Sequence, residues 1–337
     1  MRRRAFLAVL AGGVAGLVPG GAALARPGGR RFRILMILWR GETGVETGFR
    51  EQLAALGVPV EIQVFDLARD IGRLPAAVAL ARATRPDLVY TWGTGITLGV
   101  AGRWQEADPA RHLTDIPVLF TMVSTPRGTD LQPPPDKPPR PNLTGVSHIA
   151  PLSAQINAIR AYLPLKRLGV VFNPQESNSL ANLAELRELS ADADFQVLEA
   201  PVPAGADGLP DPARIPDLVA DLARRGADVL YIGPDNFVGG HRELLTDAGI
   251  AAGIPCFTAT ELEIREGQAM IGLVSRYEAV GRLAANQAKR ILVDGVSPSA
   301  VPIETLQRFS YIIRLPVALR LGLYPSLQLL DYAEVIR

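Results

Sequence analysis

The stretch Leu168–Leu189, LGVVFNPQESNSLANLAELREL, decides the fold. Leu168, Val170, Val171 and Phe172 form a short apolar run suited to a buried strand, and Asn173-Pro174 ends it. Ser177, Asn178 and Ser179 then offer side chains that cap a helix start, where backbone N–H groups lie free and attract anions. The same order of strand, polar loop and helix start recurs at Asp228–Phe237 (DVLYIGPDNF), Asp87–Gly95 (DLVYTWGTG) and Ile116–Thr125 (IPVLFTMVST). Polar loops at the carboxyl ends of several parallel strands predict a ligand cleft in an open α/β fold.

Outward from these segments, strand and helix signals alternate. Phe32–Leu38 is an apolar run, and Val45, Phe49, Gln52, Leu53 and Leu56 follow at helical spacing until Gly57. Val60, Ile62 and Val64 alternate as a strand, Leu74–Thr84 reads as a helix, and Leu88–Tyr90 and Pro117–Met122 continue the series. Asp130–Pro141 (DLQPPPDKPPRP) holds six prolines and predicts an extended surface loop or linker. A second series runs from a helix at Leu152–Tyr162 through strands at Leu168, Phe195, Val229, Ile254 and Met270. Helices are expected at Asn178, at Ile215–Arg225, near Glu243 and at Val280–Val293, with a strand at Tyr311 and a helix from Pro316 to Leu321. Two parallel α/β units joined near 140–150 are the simplest architecture.

Composition narrows the functional classes. The leader carries Arg2-Arg3-Arg4, a Gly/Ala-rich apolar stretch with five glycines, and Ala23-Leu24-Ala25 before the expected cleavage. Residues 1–25 therefore read as a signal peptide, and the RRAFL string fits the twin-arginine type, with an arginine-rich general secretory leader as the alternative. Pro19 and the glycines interrupt the run too early for a membrane anchor. Cys256 is the one cysteine, so neither a disulfide nor a lipidation site follows the leader. The expected product is exported to the periplasm, soluble and not a lipoprotein. Removing a leader with three arginines and no acids takes the net charge from +1 to −2, which gives nucleic acid or an acidic membrane no foothold.

Several segments taken together resemble the ABC-transporter substrate-binding protein family that includes tryptophan- and tyrosine-type uptake components. They are GFREQLAALG (48–57), PDLVYTWGTG (86–95), IPVLFTMVSTP (116–126), NLTGVS (142–147), NPQESNS (173–179), DVLYIGPDNFV (228–238), IPCFT (254–258), and the tail LPVALRLGL with PSLQLLDYAEVI. The resemblance implies a type I periplasmic-binding fold: two Rossmann-like lobes with parallel sheets, joined by a hinge. One lobe is expected from 31–147 plus about 278–300, the other from 148–274 plus about 303–337. It also implies a small polar ligand, an amino acid or related carboxylate, and separate permease and ATPase subunits. No cofactor, metal or nucleic acid is expected, and a monomer is the default. The chain departs from the family at Trp39-Arg40-Gly41-Glu42-Thr43, at Thr125-Pro126 and at Arg314.

Candidate ligand residues follow from the loops. Ser177, Asn178 and Ser179 can take a ligand carboxylate, or simply cap a helix. Asp235, with Asn236 beside it, can pair with a ligand ammonium, or cap the helix beginning near Val238. Thr94, Gly95, Ser124 and Thr125 offer hydroxyl and backbone donors, which turn chemistry explains almost as well. Arg40 can clamp a carboxylate bidentately, or form a solvated rim pair with Glu42. Trp39 and Trp92 end strands where an aromatic can cover a flat ligand, and Tyr277 reaches the hinge or the cleft. Trp104 reads as core late in a helix, and His112, His148 and His241 lack metal-ligand spacing and suit surface or hinge positions. None of the motifs GxSxG, HExxH or GxxxxGK occurs, and no GxGxxG follows the first strand. A transport receptor is the reading; a sensor module for a membrane receptor and an exported α/β enzyme remain the alternatives.

Overall fold

The computed structural model describes residues Arg30–Arg337, so the expected leader lies outside the described residues. In the first half of the chain, β1 (Phe32–Leu38), β2 (Val60–Asp66), β3 (Leu88–Trp92), β4 (Val118–Thr121) and β5 (Leu143–Ser147) pair in parallel. In the second half, β6 (Arg167–Phe172), β7 (Gln196–Pro201), β8 (Val229–Ile232), β9 (Cys256–Thr258) and β10 (Ile271–Val274) do the same. A late strand β11 (Glu304–Thr305) returns to the first sheet, giving the order β11-β5-β4-β3-β1-β2. β12 (Ser310–Arg314) and β13 (Glu334–Ile336) close the second as β13-β12-β10-β9-β8-β6-β7. β12 runs antiparallel to β10, the one exception to the expected parallel pattern.

Both sheets are buried on two faces, and this is why their central strands read as continuous apolar runs. Around the first, Met36, Leu38 and Tyr90 pack to one side and Leu35, Ile37 and Val89 to the other. Around the second, Val170, Phe172 and Tyr231 oppose Val171, Leu230 and Ile232. Cys256 packs in the latter cluster as expected of a small hydrophobe, and burial pushes its thiol up to about 12.

Helices fill the crossovers: α1 (Gly44–Ala55), α2 (Leu74–Thr84), α3 (Thr94–Ala101), α4 (Leu152–Tyr162), α5 (Ser177–Asp192), α6 (Ile215–Arg224), α7 (Asn236–Gly240), α8 (Arg242–Ala251), α9 (Glu261–Arg265), α10 (Tyr277–Leu292), α11 (Leu315–Arg320) and α12 (Leu327–Leu330). None among the described residues is long and apolar enough to cross a membrane. α1 starts with a capping box: the Thr43 hydroxyl accepts from the Val45 N–H, and the Thr43 N–H donates to Glu46 Oε2 at 2.7 Å. The other Glu46 oxygen accepts from the Tyr90 hydroxyl at 2.5 Å, which itself accepts from Thr121 at 2.9 Å. That buried chain ties α1 to β3 and β4. Burial raises the Glu46 carboxyl, with the Tyr90 hydrogen bond opposing.

α10 leaves the second sheet and packs along α1 of the first. The two helices meet at glycines: a Cβ on Gly48 would stand 2.1 Å from the Glu278 carbonyl oxygen, and one on Gly281 would stand 1.9 Å from that of Val45. Neither position has room for a methyl group.

Four local expectations need correction. Trp104 is not late in a helix, because α3 stops at Ala101 and Gly102 follows at φ +74°. The proline-rich segment is not a detached linker. Its Arg140 is 7% exposed and donates to the carbonyls of Gly102 at 2.6 Å and Leu131 at 3.3 Å, and also to Ala101, fastening the loop to the first unit. Residues 143–147, expected partly within the hinge, form β5, so this crossing falls at 148–151. The last crossing lies between β11 and β12, since Glu304–Thr305, expected beyond the return at about 303, still pair with β5.

Gly281→Ala is expected to destabilise the protein by roughly 1–3 kcal/mol through overpacking. Urea unfolding read by circular dichroism checks this, and an unchanged midpoint would show that α1 and α10 separate at little cost.

Candidate functional site

The carboxyl ends of the two sheets face one another, and the loops that follow them enclose a cavity of about 40 Å³. From the first lobe, Arg40 follows β1, Trp92 ends β3, Thr94 opens α3, Met122 and Ser124 follow β4, and His148 follows β5. From the second, Asn178 lies in the first turn of α5, Pro234, Asp235, Asn236 and Gly239 follow β8, and Thr260 and Glu263 follow β9. Tyr277 opens α10 at the crossing between lobes. Met122 holds φ +57°, a left-handed conformation that costs a side-chain-bearing residue on the order of 1 kcal/mol.

Unpartnered polar atoms mark this cavity. The Trp92 indole N–H, the Ser124 hydroxyl and His148 Nδ1 are buried with no hydrogen-bond partner. Burying such atoms unpaired costs on the order of 1–3 kcal/mol each, so their convergence needs an explanation. For the His148 ring, the Val123 backbone opposes the effect of burial. Burial lowers this imidazole to about 3. Arg40 lies over the Trp92 ring, 5.3 Å from its centroid, and burial raises the Glu263 carboxyl while Arg40 opposes the shift.

On the second lobe the acids are engaged by the protein itself. Asp235 Oδ2 accepts from the Asn173 N–H at 2.7 Å and the Ser179 hydroxyl at 2.5 Å, and Oδ1 caps α7 through the Val238 N–H at 2.8 Å. Burial, and then the neighbouring Glu176 charge, push Asp235 up to about 7. Glu176 takes the Asn236 and Phe237 N–H groups at 2.9 and 2.8 Å and the side-chain amides of Asn173, Asn178 and Asn236. A carboxylate of the chain thus sits at the start of α7.

Of the sequence-predicted residues, Arg40, Trp92, Thr94, Ser124, Asn178, Asp235, Asn236 and Tyr277 line the cavity. The others do not. Ser177 accepts from Arg103 of the first lobe at 3.3 Å, and Ser179 stands behind Asp235. Glu42 pairs with Arg50 at 2.6 Å rather than with Arg40, so the expected rim pair is replaced by one along α1. Gly95 is exposed, and Trp39 packs half-buried beside the core of the first sheet. Thr125 faces a separate space of about 670 Å³ under the proline-rich loop. That space is larger, but its wall is mostly proline and aliphatic, and its Arg127 and Lys137 are exposed.

Sequence reasoning did not select Met122, His148, Pro234, Gly239, Thr260 or Glu263. His148 carried a usable signal, standing directly after the β5 segment; Thr260 and Glu263 follow the IPCFT strand in the same way.

The family described as ABC transporter substrate binding protein matches residues 42–336. A curated tyrosine-binding protein from Clostridioides difficile (strain R20291) is 25% identical over 232 residues, which cover 68% of this chain and 61% of that protein's length. The crystal structure of a conserved domain protein from Vibrio cholerae superposes with a TM-score of 0.77 at 21% identity, covering 91% of this chain and all of that one. A Streptococcus pneumoniae ABC domain in complex with L-Trp gives a TM-score of 0.75 at 21% identity, covering 90% of this chain and 100% of that chain. These structures share the two-lobed type I periplasmic-binding fold with this chain.

The His148 environment has a consequence for acid stability. In the unfolded chain the ring takes a proton near pH 6.5, whereas in the fold it does so only near 3, so stability falls as the pH drops through that window. His148→Gln is expected to flatten the fall between pH 6.5 and 4 by up to about 1.4 kcal/mol per pH unit. Urea unfolding across a pH series tests this; equal slopes in the two proteins would mean that the ring is solvated.

Proposed function

The chain belongs to the ABC transporter substrate-binding protein family, and we propose that it is the periplasmic solute receptor of an importer, taking an amino acid or related small carboxylate between its lobes. The family is one of solute-binding proteins rather than enzymes. One observation carries the reading: three buried polar atoms without partners, on Trp92, Ser124 and His148, meet in one cavity at the carboxyl ends of both sheets. A ligand with both donors and acceptors satisfies them together. The tyrosine bound by the curated relative and the L-Trp in the streptococcal complex support an amino acid as the ligand. The leader read from residues 1–25 supports export.

Ligand binding would act on the hinge. Three crossings join the lobes, at 148–151, at Ser275–Arg276 and at 306–309. A molecule touching both lobes favours their closed arrangement by the difference in its affinity for the two states, and a permease can read that arrangement. Transport energy would come from separate permease and ATPase subunits.

The test is thermal unfolding of the mature protein, stripped of carried ligand, against amino acids, organic acids, purines and sugars. A cognate compound at about 100 times its Kd adds about 2.7 kcal/mol and raises the melting temperature. Ser124→Ala removes a hydroxyl that has no partner within the protein, so it is expected to weaken that compound about tenfold while leaving the ligand-free melting temperature unchanged. A protein indifferent to the whole panel would remove the receptor reading.

A further inference from the structure

We infer that Arg40 sets the ligand class: the cleft takes a compact amino acid whose carboxylate meets Arg40 and the Trp92 indole N–H, and turns away aromatic side chains. This rests on the reading of the cleft as an amino-acid site and narrows it.

The guanidinium of Arg40 lies over the Trp92 ring and, among the described residues, makes no hydrogen bond and no ion pair within 4 Å. A cation held in a cleft without an acceptor is a site for an anion, and the planar guanidinium takes a carboxylate through two parallel bonds. The Trp92 N–H of the same pair is a buried donor without an acceptor. Both residues stand on the first lobe, at the ends of the paired neighbours β1 and β3. Their contact is therefore independent of the hinge angle. Opening the lobes does not uncover that face of the indole, which is the surface an aromatic ligand would stack on.

The opposite wall has the opposite character. Glu263, buried and hydrogen-bonded by Thr260, faces Arg40 closely enough to feel its charge, yet no contact within 4 Å joins them. On the first lobe, His148 Nδ1 is a further buried polar atom without a partner. A ligand that places a carboxylate at Arg40 and an ammonium at Glu263 satisfies both groups and bridges the lobes. Its orientation is the reverse of the one expected from the loop after β6, because Asn178 and Ser179 already serve Glu176 and Asp235.

The experiment is calorimetric titration of the stripped mature protein with glycine, L-serine, L-aspartate, L-tyrosine and L-tryptophan, repeated on Arg40→Met and Arg40→Ala. Wild type is expected to bind at least one of the three compact amino acids ten-fold or more tighter than either aromatic one. Arg40→Met keeps the bulk over the indole and loses the charge, so the compact ligand weakens at least tenfold with no gain for the aromatics. Arg40→Ala loses both, so the compact ligand weakens while L-tyrosine or L-tryptophan gains several-fold. Melting temperatures of the variants within a few degrees of wild type establish that they are folded. Tightest binding of an aromatic amino acid by wild type, or an unchanged order of preference in Arg40→Ala, overturns the assignment and leaves the amino-acid receptor standing. Failure of a folded wild type to bind any of the five, with another class of compound bound in the unfolding panel, overturns both.

Discussion

Two glycines let α1 and α10 approach until the backbone of each touches the other, and the rest of the architecture hangs on that contact. Gly48 sits against the Glu278 carbonyl and Gly281 against that of Val45. The crossing returns the chain to the first lobe after residues 152–274 on the second, and it fixes where α10 begins. Tyr277, the first residue of that helix, is thereby held at the edge of the cleft, and its N–H is taken by Glu261 of the second lobe at 2.7 Å. The same Glu261 also reaches Arg265 and Arg276, and Glu334 of β13 binds both arginines. A helix packed on one lobe is thus anchored at its start by charges from the other. α9 carries both Glu261, in this cluster, and Glu263, in the cleft.

The cleft divides by chemistry along the line between the lobes. The first contributes donors, in Arg40 and the Trp92 indole N–H. The second contributes carboxyls, but two of them are committed: Glu176 neutralises the start of α7, and Asp235 caps that helix while holding Ser179 and Asn173. Buried polar groups satisfied within the protein are rigid scaffolding. Those left unsatisfied in the same small space, on Trp92, Ser124 and His148, are where an outside molecule completes the pairing.

Most of the fold was legible in the chain because both sheets are covered on two faces, and such strands announce themselves as apolar runs between turn residues. Leu74–Thr84 and Leu152–Tyr162 are helices at the residues read from periodicity. Composition gives the proline-rich loop but does not reveal that Arg140 at its far end bonds the carbonyls of Ala101 and Gly102 at the end of α3. β11 has two residues, too short for any pattern to show. In the site, the loop positions at strand ends were legible, whereas partners were not. Whether Asp235 caps a helix or awaits a ligand depends on Ser179 and Asn173, which are distant in sequence and adjacent in space. Arg40 was paired with Glu42 by proximity along the chain, but Glu42 turned along α1 to Arg50. Glu263 has only its place after the IPCFT strand as a signal, and its burial is not readable there, since an acid in a short helix looks like any exposed one.

The return of α10 and β11 to the first sheet also sets an order of events during synthesis. A chain emerging from the ribosome completes β1 to β5 early, yet the helix that covers Val45 and Phe49 of α1 has not been made. Every residue of the intervening lobe must be translated first. Until then the first lobe exposes an apolar stripe and, at Gly48, a bare glycine notch with nothing to fill it. The first lobe therefore cannot complete its core until the second has been translated.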